Sequence, residues 1–160
     1  MLRRYIMLLV FALWMGGFTF YTGFVIRIGT NVLGSERDQG FITQQATNWL
    51  NYIGILGVLV LGWNLLAERR GNRVRLLALA WLALLLLQIA LFVIHPVIDH
   101  MLDPATHKIH DLGHFFNWHR AYMATASLQW LIALIYLWLA MHLWRKNDQR
   151  LASLVDKQPA

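Results

Sequence analysis

The sequence alternates between long apolar runs and short polar connections. Four runs approach or exceed the roughly 20 residues that a helix needs to cross a bilayer, and they cover about residues 5–28, 49–67, 76–98 and 116–144. We therefore predict an all-α protein, an integral membrane antiparallel four-helix bundle, with a single transmembrane domain over residues 1–146. Residues 147–160 form a polar tail, which we expect to be cytoplasmic and loosely ordered.

Local signals refine the connections between these runs. Residues 29–48 are mixed in charge and polar, which is typical of a solvated loop. Within this segment, Ser35 followed three residues later by Asp38 fits a capping box and predicts a short helix. Gly16 and Gly23 fall on one face of the first span, where small residues predict close packing of a neighbouring helix. Pro96 is expected to end or kink the third span.

The composition favours a membrane protein over a soluble one. Charged residues make up 14% of the chain, against roughly 25% in a typical soluble domain. A net charge of +6 would indicate nucleic acid as the partner of a soluble protein. Here the basic residues lie at the ends of apolar runs, so we expect a lipid bilayer and no nucleic acid as the partner. The absence of cysteine excludes disulfides, thiolate metal sites, iron–sulfur clusters and covalently attached haem.

The basic residues also predict an orientation. With the N-terminus inside, ten of them face the cytoplasm, and only Arg27, Arg37, Lys108 and Arg120 face outward. This distribution follows the positive-inside rule at every segment and places both termini in the cytoplasm. The localisation that we expect is a bacterial inner membrane. The ten inward residues are Arg3, Arg4, Arg69, Arg70, Arg73, Arg75, Arg145, Lys146, Arg150 and Lys157.

The outward connection between the third and fourth spans is rich in histidine and aspartate. Asp103 before Pro104 predicts the start of a short helix that reaches about Asp111. If this helix continues into the fourth span, His110 and His114 share one face at a spacing that lets two imidazoles bind one metal ion. Neutral imidazole suits zinc or copper. The candidate metal ligands are His100, His107, His110, His114, Asp99 and Asp103. The alternative is that these histidines hydrogen-bond to loop backbone at the membrane interface.

The outer ends of all four spans converge in such a bundle. His95 and His119 are the candidate axial ligands of a b-type haem, and Arg27 and Arg120 complete this cofactor site. Asp99 is expected to pair with one of the two arginines, because a partly desolvated charge needs a counter-charge. The same cavity also suits a metal ion, a quinone headgroup or an anionic lipid. The alternative to a binding site is a buried polar network that fixes helix register.

Three passages carry a resemblance to a known family. They are WMGGFTFYTGFVI in the first span, ERDQGFITQQATNWLNYIG leading into the second, and FFNWHRAYMATASLQWLIAL opening the fourth. In these passages the chain resembles small four-span membrane proteins of unknown function, the family that includes transmembrane-protein-205-like proteins. The extended histidine-rich connection departs from the shorter link of that family. The resemblance implies an accessory membrane protein without a settled biochemical activity.

Three functions remain open from the sequence. The first is a non-enzymatic membrane protein that binds a metal ion or haem at its outward face. The second is a structural or assembly subunit of a membrane complex with no cofactor. The third, a membrane enzyme or transporter that uses Asp99, His95 and Arg27, ranks last, because the sequence has no nucleophile–base pair and no broken or duplicated span.

The predicted orientation is tested with lysine labelling. A membrane-impermeant amine reagent applied to intact cells should modify Lys108, because the histidine-rich connection faces outward. Lys146 and Lys157 should react only after the membrane is permeabilised, and peptide mass spectrometry distinguishes the three sites. Labelling of Lys146 in intact cells, with Lys108 protected, would contradict the orientation.

Overall fold

A computed structural model describes residues 1–68, 72–103, 108–109 and 111–155. Its described part contains four helical rods that are long and apolar enough to cross a membrane, Leu2–Leu33, Arg37–Leu66, Arg73–Asp99 and Leu112–Leu154. The elements in chain order are helix α1 (Leu2–Phe20), a π-helical turn (Tyr21–Val25), α2 (Ile26–Leu33), α3 (Glu36–Leu66), α4 (Asn72–Asp99), strands β1 (Leu102–Asp103) and β2 (Lys108–Ile109), and α5 (Leu112–Val155). We call α1, the π turn and α2 together the first rod.

The segment between the first two spans is helical, so the solvated loop predicted over residues 29–48 is wrong. The first rod ends at Leu33, and Gly34 makes the turn at a φ of 64°, a left-handed conformation that favours glycine. The Ser35 hydroxyl then accepts a hydrogen bond from the Asp38 N–H (3.2 Å). This cap confirms the helix start at Ser35, but the helix continues to Leu66. The polar start of α3 stays helical because some of its side chains, such as Gln39, point into the bundle.

The connection between α4 and α5 also differs from the prediction. Asp103 lies in β1, where it pairs with Lys108 of β2. The helix predicted from Pro104 to Asp111 is therefore wrong, because residues 108–109 form a strand. Pro96 does not end α4, which continues to Asp99. Residues 104–107 and 110 lie outside the described part of the chain.

Side-chain contacts between the rods show that sequential rods run antiparallel. At each interface, residue numbers rise along one rod while those of the contacted residues fall along the other. The contacts are Arg3–Glu68 and Tyr21–Thr43 between the first rod and the α3 region, Trp81–Val58 and Gln88–Asn51 between α4 and α3, and Gln88–Gln129 and His95–Tyr122 between α4 and α5. These pairs establish the antiparallel four-helix bundle.

An apolar core fills the half of the bundle that carries both termini, which we call the termini half. The Tyr136 ring is fully buried there, and its hydroxyl donates to the Leu61 carbonyl (2.6 Å) and accepts from Asn64 Nδ2 (3.4 Å). A buried tyrosine needs such partners because an unpaired hydroxyl in an apolar interior costs free energy. The surrounding core includes Met7, Phe11, Met15, Val58, Leu77, Leu84, Ala133 and Ala140.

Polar contacts close the end of the termini half. Glu68 accepts from Arg3 (2.8 Å) and from the Asn147 amide (3.0 Å), so it joins the starts and ends of three rods. The Arg4 guanidinium donates to both oxygens of Asp148 (2.7 and 2.9 Å). The loosely ordered tail predicted from residue 147 is therefore wrong as far as Val155, because this segment extends α5 and its first turn contacts the other rods.

Two glycines of α3 allow the first rod and α4 to pack closely against it. A Cβ at Gly57 would overlap the Trp14 ring, and one at Gly54 would overlap the Gln88 side chain. By contrast, a Cβ at Gly16 or Gly23 would meet nothing within 4 Å. The close packing predicted for the glycines of the first span is thus wrong within this chain, and α3 supplies the tight contact.

This difference gives a matched pair of variants. Gly57→Ala should lower the free energy of unfolding by about 1–3 kcal/mol, because the Trp14 ring has to leave its place in a packed core. Gly16→Ala should leave stability unchanged or raise it by up to about 1 kcal/mol, since alanine favours the helix. Thermal unfolding of the detergent-solubilised protein compares the two. Equal stability of Gly57→Ala and the wild type would show that Trp14 does not pack there.

Candidate functional site

A cavity of about 640 Å³ lies in the half of the bundle opposite the termini, and it is partly open to the outside. All four rods contribute to its wall, which combines apolar and aromatic side chains with buried amides and hydroxyls. Along α3 the lining runs from Arg37 to Asn51, roughly 20 Å at 1.5 Å per residue. The lining also includes Trp14, Phe18, Tyr21, Ile26, Gln39, Thr43, Leu50, Gln88, Leu91, His95, Ile98, Asp99, Phe115, Phe116, His119, Tyr122, Met123, Ala126 and Gln129.

The deep end of the cavity, which we call the amide floor, consists of Asn51, Gln88, Tyr122 and Gln129. Gln129 Nε2 donates to Gln88 Oε1 (2.9 Å), and Gln88 Nε2 donates to the Asn51 carbonyl (3.2 Å). The Tyr122 hydroxyl donates to Asn51 Oδ1 (3.0 Å). The three amide residues are at most 5% exposed. The three hydrogen bonds thus cross three different helix interfaces, α5–α4, α4–α3 and α5–α3. Together they fix the rotation of these helices about their axes.

His95 and Asp99 form a hydrogen-bonded pair on the α4 wall. His95 Nδ1 lies 3.0 Å from Asp99 Oδ2, and the two side chains are 7% and 26% exposed. They are four residues apart, so one helical face presents both. The edge of the His95 ring contacts Tyr122, with ring centroids 5.8 Å apart. Asp99 Oδ1 is buried and makes no hydrogen bond of standard geometry with the described residues, and the Gln44 side chain of α3 approaches this carboxylate.

The wall formed by the first rod and α3 is polar at the π-helical turn. Tyr21, in this turn, donates from its hydroxyl to Thr43 Oγ1 (3.2 Å), and Gln39 Nε2 donates to the same oxygen (3.3 Å). Gly29 allows Gln39 to pack against the backbone of α2, since a Cβ there would overlap the amide. A π turn widens a helix locally and is frequent at functional sites. Here it lies against the cavity.

The structure brings together part of the predicted cofactor site. His95, His119 and Asp99 all line the cavity. Arg27 and Arg120 lie on exposed helix faces and do not pair with Asp99, whose partner is His95. The sequence did not reveal which way these arginines point, because helix rotation is set by the buried contacts. The His119 ring stacks on Phe115, with the two planes 9° apart.

The predicted metal ligands are more dispersed. His100 is exposed just beyond the end of α4, and Asp103 lies in β1. His107 and His110 lie outside the described residues. His114 lies in the first turn of α5, which begins at Leu112. Among the residues that the structure describes, no group of three or more His, Asp or Glu side chains could hold a metal ion.

Asp111 and His114 have a local structural role at the start of α5. Asp111 Oδ1 accepts from the His114 N–H (3.0 Å), and Oδ2 lies 2.7 Å from His114 Nδ1. These two bonds hold the pKa of the Asp111 carboxyl below its ordinary value. The carboxylate therefore stays ionised at the helix N-terminus, and this contribution is lost only when the pH falls through the lowered pKa.

The amide floor is only partly visible in the sequence. Gln88 stands out as the one polar residue inside the leucine-rich third span, and Gln129 is an amide within the fourth. A polar side chain in a membrane helix is a functional or packing signal on its own. The two residues hydrogen-bond to each other, but they are 41 residues apart in the chain. Such a pairing becomes visible only in the folded structure.

Comparison of the chain with family models, curated proteins and solved structures gives no match. The site is therefore interpreted from its own geometry.

The amide floor predicts measurable coupling between two side chains. Gln88→Leu and Gln129→Leu should each lower the free energy of unfolding by about 1–3 kcal/mol, because each leaves the other amide unpaired. The double variant should be less destabilised than the sum, by about 0.5–2 kcal/mol. The control pair, Gln129→Leu with the exposed Gln45→Leu, should be additive within about 0.5 kcal/mol. Additivity in both pairs would rule out the Gln88–Gln129 hydrogen bond.

Proposed function

We propose that this chain is an integral membrane protein that binds a small amphipathic molecule in its cavity. The observation that carries the proposal is the 640 Å³ cavity, whose apolar and aromatic walls end in the buried amide floor and the His95–Asp99 pair. Ligand sites are typically apolar concavities with a few convergent polar groups. Buried ionisable residues in membrane helices are costly and point to function.

The proposed orientation places the termini half at the cytoplasmic face of a bacterial inner membrane. Ten of the fourteen basic residues are then cytoplasmic, as the positive-inside rule requires. The cavity and the histidine-rich connection then belong to the outward half. The four apolar rods support a bilayer environment, and the proposal includes kinship with the four-span proteins that the sequence resembles.

An organic ligand fits the cavity better than haem, zinc or copper. Axial ligands approach a haem iron from opposite faces of the porphyrin, whereas His95 and His119 come from α4 and α5, which pack directly through Leu91, Ile98 and Ala126. The two histidines therefore reach the cavity from neighbouring walls. A metal ion needs three or four converging donors, and the described lining offers the single His95–Asp99 pair with His119 stacked on Phe115.

Identification of the bound molecule tests this proposal. Protein purified in lipid nanodiscs should carry a molecule enriched over bulk lipid, detectable by mass spectrometry of the solvent extract. Ala126→Leu fills the cavity wall and should abolish the enrichment, while Ala124→Leu, on the exposed face of the same helix, should retain it. Thermal unfolding confirms that both variants are folded.

Two results would contradict the proposal. One is no enriched molecule in the wild type, which would leave a structural or assembly subunit as the better interpretation. The other is a Soret absorption band or a stoichiometric amount of zinc or copper, which would assign the site to haem or a metal ion.

A further inference from the structure

The orientation of His95 restricts the chemistry of the ligand. Its Nδ1 is held by the Asp99 carboxylate at 3.0 Å. A carboxylate accepts hydrogen bonds, so Nδ1 of His95 carries a proton. In the neutral form of the ring, Nε2 is then an acceptor. The second oxygen of Asp99 is a further acceptor. The α4 side of the cavity therefore presents acceptors, and the Gln44 amide of α3 is the donor that approaches Asp99.

The remaining surroundings favour an aromatic and uncharged ligand. Phe18, Phe115 and Phe116 line the cavity, and aromatic rings pair favourably with one another. The amide floor is neutral, and the one carboxylate among the described lining residues is already paired with His95. The lining also contains the cation Arg37, which is exposed at the start of α3. An anionic headgroup beside Asp99 would meet like charge in a poorly solvated site, which is unfavourable.

We infer that the cavity binds a phenol-type headgroup, a hydroxyl on an aromatic ring, that donates its hydrogen bond to His95 Nε2. This inference rests on the proposed function and names the ligand class of the same site. The aromatic ring lies among the phenylalanines, and an apolar tail extends along apolar lining residues of the other rods, such as Ile26, Leu91 and Met123. The roughly 20 Å of lining along α3 accommodates a ring with a tail of about ten carbons. Hydroquinone headgroups belong to this class because they carry the same hydroxyl.

A matched pair of probes tests the inference without changing the protein. Para-decylphenol and para-decylanisole have the same ring and tail, but the anisole carries a methoxy group and cannot donate. We expect the phenol to bind the protein in nanodiscs at least about tenfold more tightly, since the loss of one hydrogen bond to a buried acceptor is worth roughly that factor. Competition with the enriched native molecule, measured by native mass spectrometry, gives both affinities.

Two variants locate the hydrogen bond. His95→Phe keeps an aromatic ring against Tyr122 and removes Nε2, so the preference for the phenol over the anisole should disappear. His142→Phe changes a histidine in the other half of the protein, where its ring contacts Trp138, and should leave the preference intact. The ratio of the two affinities within each variant corrects for any general loss of stability.

The outcomes separate the two proposals. Equal binding of both probes, with both lost in Ala126→Leu, would overturn the phenol assignment and leave a cavity that binds amphipathic molecules. A preference that persists in His95→Phe would also overturn it, because the hydroxyl would then have another partner. Binding of neither probe, together with no native molecule in the extract, would overturn the proposed function itself.

Discussion

Buried polar side chains in an apolar bundle must find partners within the bundle, and this constraint organises the protein. Asn51, Gln88 and Gln129 are each enclosed by hydrophobic helices and are at most 5% exposed. An amide that is buried without a hydrogen-bond partner costs free energy. The hydrogen bonds from Gln129 to Gln88 and from Gln88 to Asn51 remove this cost. They also set the rotation and register of three helices, because each bond joins a different pair.

The two halves of the bundle meet this constraint differently. The termini half is packed with apolar side chains, and its buried polar groups bond between rods within that core, such as Tyr136 of α5 with the Leu61 carbonyl of α3. The opposite half keeps a 640 Å³ cavity, which is bounded by the amide floor and by the His95–Asp99 pair. Close packing stabilises the termini half. In the opposite half, the hydrogen-bonded polar network holds the helices in register around an open cavity. A binding site at one end of a bundle is consistent with this division.

Much of the architecture is readable from the sequence, because it depends on local properties. Four apolar runs of spanning length predict four helices, and Ser35 with Asp38 predicts the start of α3. The i, i+4 spacing of His95 and Asp99 places them on one face of α4. The prediction failed where a polar segment is helical because it faces inward, as for Gln39, and where residues 102–103 pair with residues 108–109 as strands in place of a helix. The positions of Arg27 and Arg120 depended on helix rotation, which the long-range amide contacts determine.

The most direct test of the central claim is a crystal structure of the protein grown from a lipidic mesophase. We predict an open cavity with ordered non-protein density beside His95, and a continuous hydrogen-bonded chain from Gln129 through Gln88 to Asn51. A structure in which side chains close the cavity and the three amides are turned apart would contradict the claim.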